Sequence, residues 1–281
     1  MDIINRLFLR EKEVFFTEIK IKEYKGLLKI LFGDPDTYTL FYNLNRLLVA
    51  KTNLTLQEVQ ELDLLDWFTL VMTLREYSIG ANIQLVFANK SKINADLNIS
   101  RAIEKLKEIQ NEFIGESIQY RLPTIQEMTS DLLWVSFIDT LDGIRVDRNL
   151  TPLQVERIEN TIPIQYLSKI TKKIDHIVLC LDSVNLLDMG NRDDLTVPFS
   201  LSISGIVYLL KLLFEIELDI FYSNIIYLTK NMNIQLGYLD ECTPGEYYIF
   251  LSKINGLDTA DPTDNLPPIP NDNLITPSEF M

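Results

Sequence analysis

One histidine, two cysteines and ten glycines are all that this 281-residue chain holds of those three residue types. Each shortage removes a class of chemistry. Zinc sites are built from clustered His and Cys ligands, and Cys180 and Cys242 stand far apart with His176 as the lone imidazole. So few cysteines make a disulfide framework unnecessary and fit a reducing compartment. Few glycines leave little for phosphate-cradling loops, and neither G-x-x-x-x-G-K-[ST] nor G-x-G-x-x-G occurs. Ser204-Gly205 lacks the upstream glycine of a nucleophile elbow. Basic charge is short as well. There are 26 Lys and Arg against 40 Asp and Glu, a formal net charge of −14. That balance argues against wrapping nucleic acid, which takes clustered cations to displace counterions, and against an anionic membrane surface. The longest uncharged run, Leu195 to Leu210, is broken by Pro198 and Gly205 and falls short of the roughly 20 apolar residues of a spanning helix. The N-terminal MDIINRLFLREKEVFF sets acidic residues around a short apolar run without a small-residue cleavage site, unlike a signal peptide.

What is present is ordinary globular material, 47% hydrophobic and 23% charged. The most informative stretch is Thr55 to Phe87. Thr55 and Glu58 have capping-box spacing. Trp67, Leu70, Val71 and Leu74 make one apolar face, and Leu64, Phe68 and Met72 another. Only Asp66, Thr69, Thr73 and Glu76 remain as a polar stripe, so the spacing predicts one helix packed on most sides. Arg75 falls in its last turn, where a cation complements the carbonyl end. Gly80 is the expected left-handed stop, and Ile83, Leu85 and Phe87 alternate as a strand.

Strand character over Val14–Ile21 leads to a helix from Lys22 to Phe32 that ends at Gly33-Asp34-Pro35. Leu40, Leu44, Leu47 and Leu48 mark the next helix. Ile93 to Ile99 reads as a second strand, Arg101–Gln110 as an exposed helix, and Ser117–Leu122 as a third strand. Capping boxes recur at Thr124/Glu127 and Thr243/Glu246, and Thr151-Pro152 places proline at a first helical position. Between them the pattern predicts a buried helix from Leu132 to Leu141, a helix from Pro163 with Tyr166, Leu167, Ile170, Ile174 and Ile177 inward, a hairpin over Val184–Ser204, and helix from Ile206 to Lys230. The expected fold class is α+β, predominantly helical, with two small β-rich segments and an extended C-terminal tail. Residues 1–122 form a helical region with a β-insert, and 123–257 a second helical region packed with the first. Residues 258–281 form a Pro-rich tail with no Lys or Arg. That tail reads either as a frayed end or as an arm that orders on a partner through Leu266, Ile269, Ile275 and Phe280.

Reactive constellations are sparse. His176 sits beside Ile174, Ile177 and Val178, where a structural imidazole in a packed helix competes with a general base or ligand. Asp63/Asp66, Asp139/Asp142 and Asp193/Asp194 are carboxylate pairs that helix starts and turns equally explain. Asp139-x-x-Asp142-Gly143 and Asp188–Asp194 do not keep the calcium-loop order. No catalytic residue, cofactor or metal is expected.

FFTEIKIKEYKGLL, DLLDWFTLVMTLREYSIGANIQLVF and YRLPTIQEM together resemble the baseplate hub assembly proteins of T-even-type contractile-tailed phages. In that family a helix ends in an Arg-x-x-Ser-x-Gly signature, supplied here by Arg75, Ser78 and Gly80. A β-insert then returns to a proline, here Pro123. IDHIVL and TPGEYYIFLSKI are similar to later parts of such tail-assembly chaperones. Relatives often carry close cysteines after the post-glycine strand; this chain has Phe87-Ala88-Asn89-Lys90 there, so no metal role carries over. The resemblance implies a non-enzymatic assembly factor acting on hub or tape-measure proteins in the host cytoplasm, with no nucleic acid, membrane or small-molecule substrate. The alternatives are a permanent baseplate or hub subunit, found in the virion, and, third, an unrelated phage or host protein-binding module or an uncharacterised enzyme.

Overall fold

The computed structural model describes residues 4–9, 12–33, 36–86, 92–97, 118–129, 134–162, 164–182, 187–188, 201–214 and 218–254. The chain is an α+β protein, mainly helical, with small antiparallel sheets. Strands β1 (Asn5–Phe8) and β2 (Glu13–Phe16) form a hairpin. Helices α1 (Ile21–Phe32), α2 (Thr37–Lys51), α3 (Leu56–Glu61) and α4 (Leu64–Ser78) follow. Ile21 is therefore helical, and the strand expected to run through it stops at Phe16.

The single helix expected from Thr55 is two. The Thr55–Glu58 box caps α3 as the spacing predicts, but the chain turns extended at Leu62 and Asp63. Asp63 then caps α4 by accepting from the Asp66 N–H at 3.0 Å. One member of that carboxylate pair is thus a helix cap. The polar stripe is also drier than expected. Thr69 and Thr73 are buried, each hydroxyl donating to the carbonyl four residues back, at 2.8 and 2.7 Å. A threonine that returns its hydroxyl to its own helix can enter a core without an unmet donor. Trp67, fully buried, donates its indole N–H to Asn45 Oδ1 at 2.8 Å.

Strands β3 (Asn82–Val86) and β4 (Lys92–Leu97) form where the alternation predicts strands, and they pair with each other. Their third partner is β8 (Leu187–Asp188) from far along the chain. The expected third strand of that insert, β5 (Ile118–Tyr120), belongs to another sheet with β6 (Ile138–Leu141) and β7 (Ile144–Arg145). α5 (Ile125–Thr129) is followed by a 3-10 turn at Trp134–Phe137, so the helix expected from Leu132 to Leu141 is not formed over its described part. Asp142 and Gly143, at φ 48° and 80°, make the tight turn of the β6–β7 hairpin. Positive φ at both central residues is the two-residue hairpin geometry that Asp-Gly favours.

α6 (Pro152–Thr161) starts at the predicted Thr151-Pro152, and α7 (Ile164–Asp182) follows. Of the expected Val184–Ser204 hairpin, only β8 and the last residues are described; Ser202 caps α8 (Ile203–Leu213), which makes Ile203 helical. The apolar stretch after Ile206 is divided between α8 and α9 (Leu218–Asn231). α10 (Leu236–Glu241) and α11 (Pro244–Ile254) complete the order. The Arg101–Gln110 helix, Asp193/Asp194 and the tail with Leu266, Ile269, Ile275 and Phe280 lie outside the described residues. No helix among the described residues is long and apolar enough to cross a membrane.

The described residues form two apolar cores. The larger takes in β2, α1, α2 and α4 together with Leu209, Phe221, Leu228, Leu239, Tyr247 and Leu251 from the last four helices. The chain after residue 200 therefore packs back onto its beginning. The smaller core lies under the β5-β6-β7 sheet and joins Ile118, Val135, Ile138 and Val146 to Val155, Ile162 and Ile170.

Candidate functional site

The Arg-x-x-Ser-x-Gly segment forms the C-terminal end of α4, where helix carbonyls lose their own donors. Ile79 donates its N–H to Arg75 O at 2.8 Å, and Gly80 follows at φ +126°. That backbone lies in the region L side chains rarely adopt. Ser78 is buried. Its hydroxyl donates to Leu74 O at 2.6 Å and accepts the N–H of Ile19 at 2.8 Å, fixing the entry to α1.

Arg75 is 4% exposed. Nε donates to Leu213 O at 3.0 Å and Nη1 to Gly80 O. Leu213 closes α8, so the cation reaches the carbonyl end of a second helix. Tyr24 supports the same terminus, its hydroxyl donating to Phe214 O at 3.3 Å. Burial lowers the Arg75 pKa to about 10, opposed by Tyr24, Tyr248 and Glu76, so the guanidinium remains charged at neutral pH. Burial pushes the Tyr24 and Tyr248 hydroxyls far above their ordinary value, which keeps both neutral. Edge-on rings fill the rest: Tyr24 to Phe221 at 5.8 Å and Phe221 to Tyr247 at 5.4 Å between centroids. Gly245 brings the start of α11 so close that a Cβ would stand 3.3 Å from Ser78 O.

Pro123 is at the other end of α4. Its carbonyl accepts the Leu64 N–H at 2.9 Å, and Asp63 bridges Thr124. A helix of 15 residues is about 22 Å long. The signature residues Arg75, Ser78 and Gly80 therefore meet, and Pro123 anchors the opposite terminus of the same helix.

Beside Pro123 lies a buried ion pair that the sequence reading missed. Arg121 Nη2 meets Glu127 Oε1 at 3.3 Å, with side chains 4% and 6% exposed. Arg121 also donates to Val146 O at 2.8 Å, Asp147 O at 3.0 Å and Ser136 O at 3.2 Å. Glu127 accepts from the Thr124 and Asn149 N–H groups at 2.8 and 3.0 Å. The signal available was a lone arginine within the apolar run Tyr120-Arg121-Leu122-Pro123.

His176 is exposed, which corrects its expected place in a packed helix. The inward face of α7 runs through Ile170 and Ile177, and a helix turns about 100° per residue, so position 176 swings outward. Its Nε2 stands 3.6 Å from Cys180 Sγ, one turn on. Asp139 and Asp142 belong to the hairpin, with Asp139 O accepting the Val146 N–H at 2.8 Å. Among the described residues no three His, Cys, Asp or Glu side chains gather as a metal site requires. The chemistry at the signature is thus structural: a charged, hydrogen-bonded joint that ties α4 to α1, α8 and α11. No family model, curated protein or solved structure matches this chain.

Proposed function

We propose that this chain is a non-enzymatic assembly factor for the baseplate hub or tail of a contractile-tailed phage, holding a hub or tape-measure protein in the host cytoplasm until the baseplate closes. The Arg75–Gly80 resemblance supports the family. The observation that carries a binding role is a set of large apolar side chains left exposed on and between the last three helices. Ile226, Tyr227, Leu236, Tyr238 and Ile249 are each more than two-fifths exposed, as is Met232 just after α9. Large apolar side chains held out by packed helices are what protein partners bury. Tyr238 also rests near the Phe250 ring, 6.2 Å between centroids, so part of that surface is pre-ordered.

Affinity purification from phage-infected cells should recover a hub or tape-measure protein, and Tyr238→Asp with Ile249→Asp should release it. Mass spectrometry of purified virions then separates the roles. An assembly factor is absent from the particle. Presence at fixed copy number would instead make the chain a permanent baseplate subunit, and recovery of no tail protein would refute both.

A further inference from the structure

The outer face of α2 carries a stripe of residues set one helical turn apart, Tyr38, Tyr42 and Arg46. Tyr38 is 69% exposed and Tyr42 39%. Their rings stand nearly parallel, 11° between planes and 6.2 Å between centroids, so the pair is pre-ordered. Arg46, one turn further, is exposed and has no ion-pair partner among the described residues. At the other end Asp36 caps the helix. Its Oδ1 accepts the Thr39 N–H at 2.9 Å and its Oδ2 the Thr39 hydroxyl at 2.6 Å. Those bonds hold the carboxyl below its ordinary range and fix a negative charge there. The stripe therefore runs from an anion, over two tyrosines, to a cation.

We propose that this stripe pairs with the same stripe of a second copy of the chain, the two α2 helices lying antiparallel about a two-fold axis. A two-fold contact must be self-complementary, and this one is. With the axis at the level of position 41, each Asp36 faces the other copy's Arg46. Each Tyr42 then falls level with position 40 of the other copy. That is half-way along the four-residue rise, about 6 Å, from Tyr38 to Tyr42. The tyrosine rows interleave as ridges into grooves, and the row beside them holds the shorter Thr39 and Asn43. A parallel pairing would set Arg46 against Arg46 and Asp36 against Asp36, so charge selects the antiparallel one. The net charge of −14 on each copy opposes association in general, but distant charges are screened at physiological salt while the matched ends meet directly. Tyrosine and arginine are residues that anchor interfaces. A single helix face is a small contact, which places the dimer in the weak range, with a Kd of about 1–100 μM. The apolar side chains exposed on the last three helices belong to other elements, so the proposal does not depend on the phage reading.

Sedimentation equilibrium of the full chain at physiological ionic strength tests it. Wild type should pass reversibly between monomer and dimer over about 1–100 μM. Tyr42→Ala should weaken the dimer about tenfold or more, and Arg46→Glu about tenfold, both with a wild-type melt. Asp36→Lys should weaken it too, although that variant also loses a helix cap. The decisive sample is an equimolar mixture of Arg46→Glu and Asp36→Lys chains, whose charges match only between unlike copies. The mixture should form heterodimers at about wild-type strength, which a misfolded chain would not do. A wild-type chain that stays monomeric throughout, variants that dimerise undiminished, or a mixture no stronger than its components would each overturn the proposal. Tyr238→Asp with Ile249→Asp should leave the dimer unchanged. Loss of association in that variant would move the contact to the last three helices and overturn it equally, whereas failure to recover a tail protein bears on the phage reading alone.

Discussion

Ser78→Ala isolates the joint at the end of α4 with the least collateral change. The hydroxyl is buried and accepts the Ile19 N–H at 2.8 Å. Its loss strands that amide, and an unsatisfied buried donor costs about 1–3 kcal/mol. Alanine returns about 0.5 kcal/mol through helix propensity, and the missing oxygen is too small to leave a sizeable cavity. A net loss of about 1–2 kcal/mol follows, or a fall of about 2–8 °C in Tm for a domain of this size. Thr73→Val is the matched control. It also removes a buried hydroxyl from α4, but its acceptor, Thr69 O, stays within the helix, so no N–H is stranded. That variant should cost less than about 1 kcal/mol. Urea unfolding at constant m measures both, and in Ser78→Ala the Ile19 amide should lose exchange protection selectively. Equal midpoints for the two variants would mean that the Ser78–Ile19 bond does not hold α1 to α4.

Three further outcomes are expected. Gly80→Val should cost about 1 kcal/mol or more, because φ +126° strains a β-branched residue although the space beside it is open; unchanged urea stability would refute this. Arg121→Leu should cost about 3–5 kcal/mol by leaving Glu127 buried without its cation, seen as loss of a cooperative thermal transition near the wild-type temperature. Glu58 is drawn from its ordinary 4.5 down to about 2 by the Lys12 ammonium and by the Thr55 N–H and hydroxyl. A carboxyl depressed in the folded state adds stability above its unfolded value and loses it as pH falls through the folded one. The advantage of wild type over Glu58→Gln should therefore persist above pH 4.5 and vanish toward pH 2 in urea titrations; a constant difference would refute the pairing.

Local signals were legible where one short segment decides the outcome. The boxes at Thr55/Glu58, Thr124/Glu127 and Thr243/Glu246 form as their spacing predicts. So do Gly80 past the end of α4 and the strands β3 and β4. Errors arose where apolar runs have more than one use. Trp134 to Leu141 has enough large residues for a helix, and the Asp142-Gly143 turn, a hairpin signal, decides for a strand. The break at Asp63 was hidden because its carboxylate looks like any helix-start acid until the chain turns extended there. The partners of Arg75 were not legible at all. Leu213 O lies 138 positions away, and no periodicity encodes a contact between a helix end and a distant cation.

Those distant partners explain why the signature has the residues it has. Two helices, α4 and α8, end close together inside one core, and α11 begins there. Each helix C-terminus leaves carbonyls without intrahelical donors, and like dipole ends repel. A single long cation resolves both, since one guanidinium donates to Gly80 O past α4 and to Leu213 O in α8. Lysine has no planar fork for two separated acceptors. Serine three residues on supplies the acceptor for the Ile19 N–H just before α1, and glycine two further lets the chain leave at positive φ. Arginine, serine and glycine at this spacing are therefore jointly required by the meeting of these helix ends, so the signature marks a packing joint, and any partner-binding surface must lie elsewhere on the scaffold it secures.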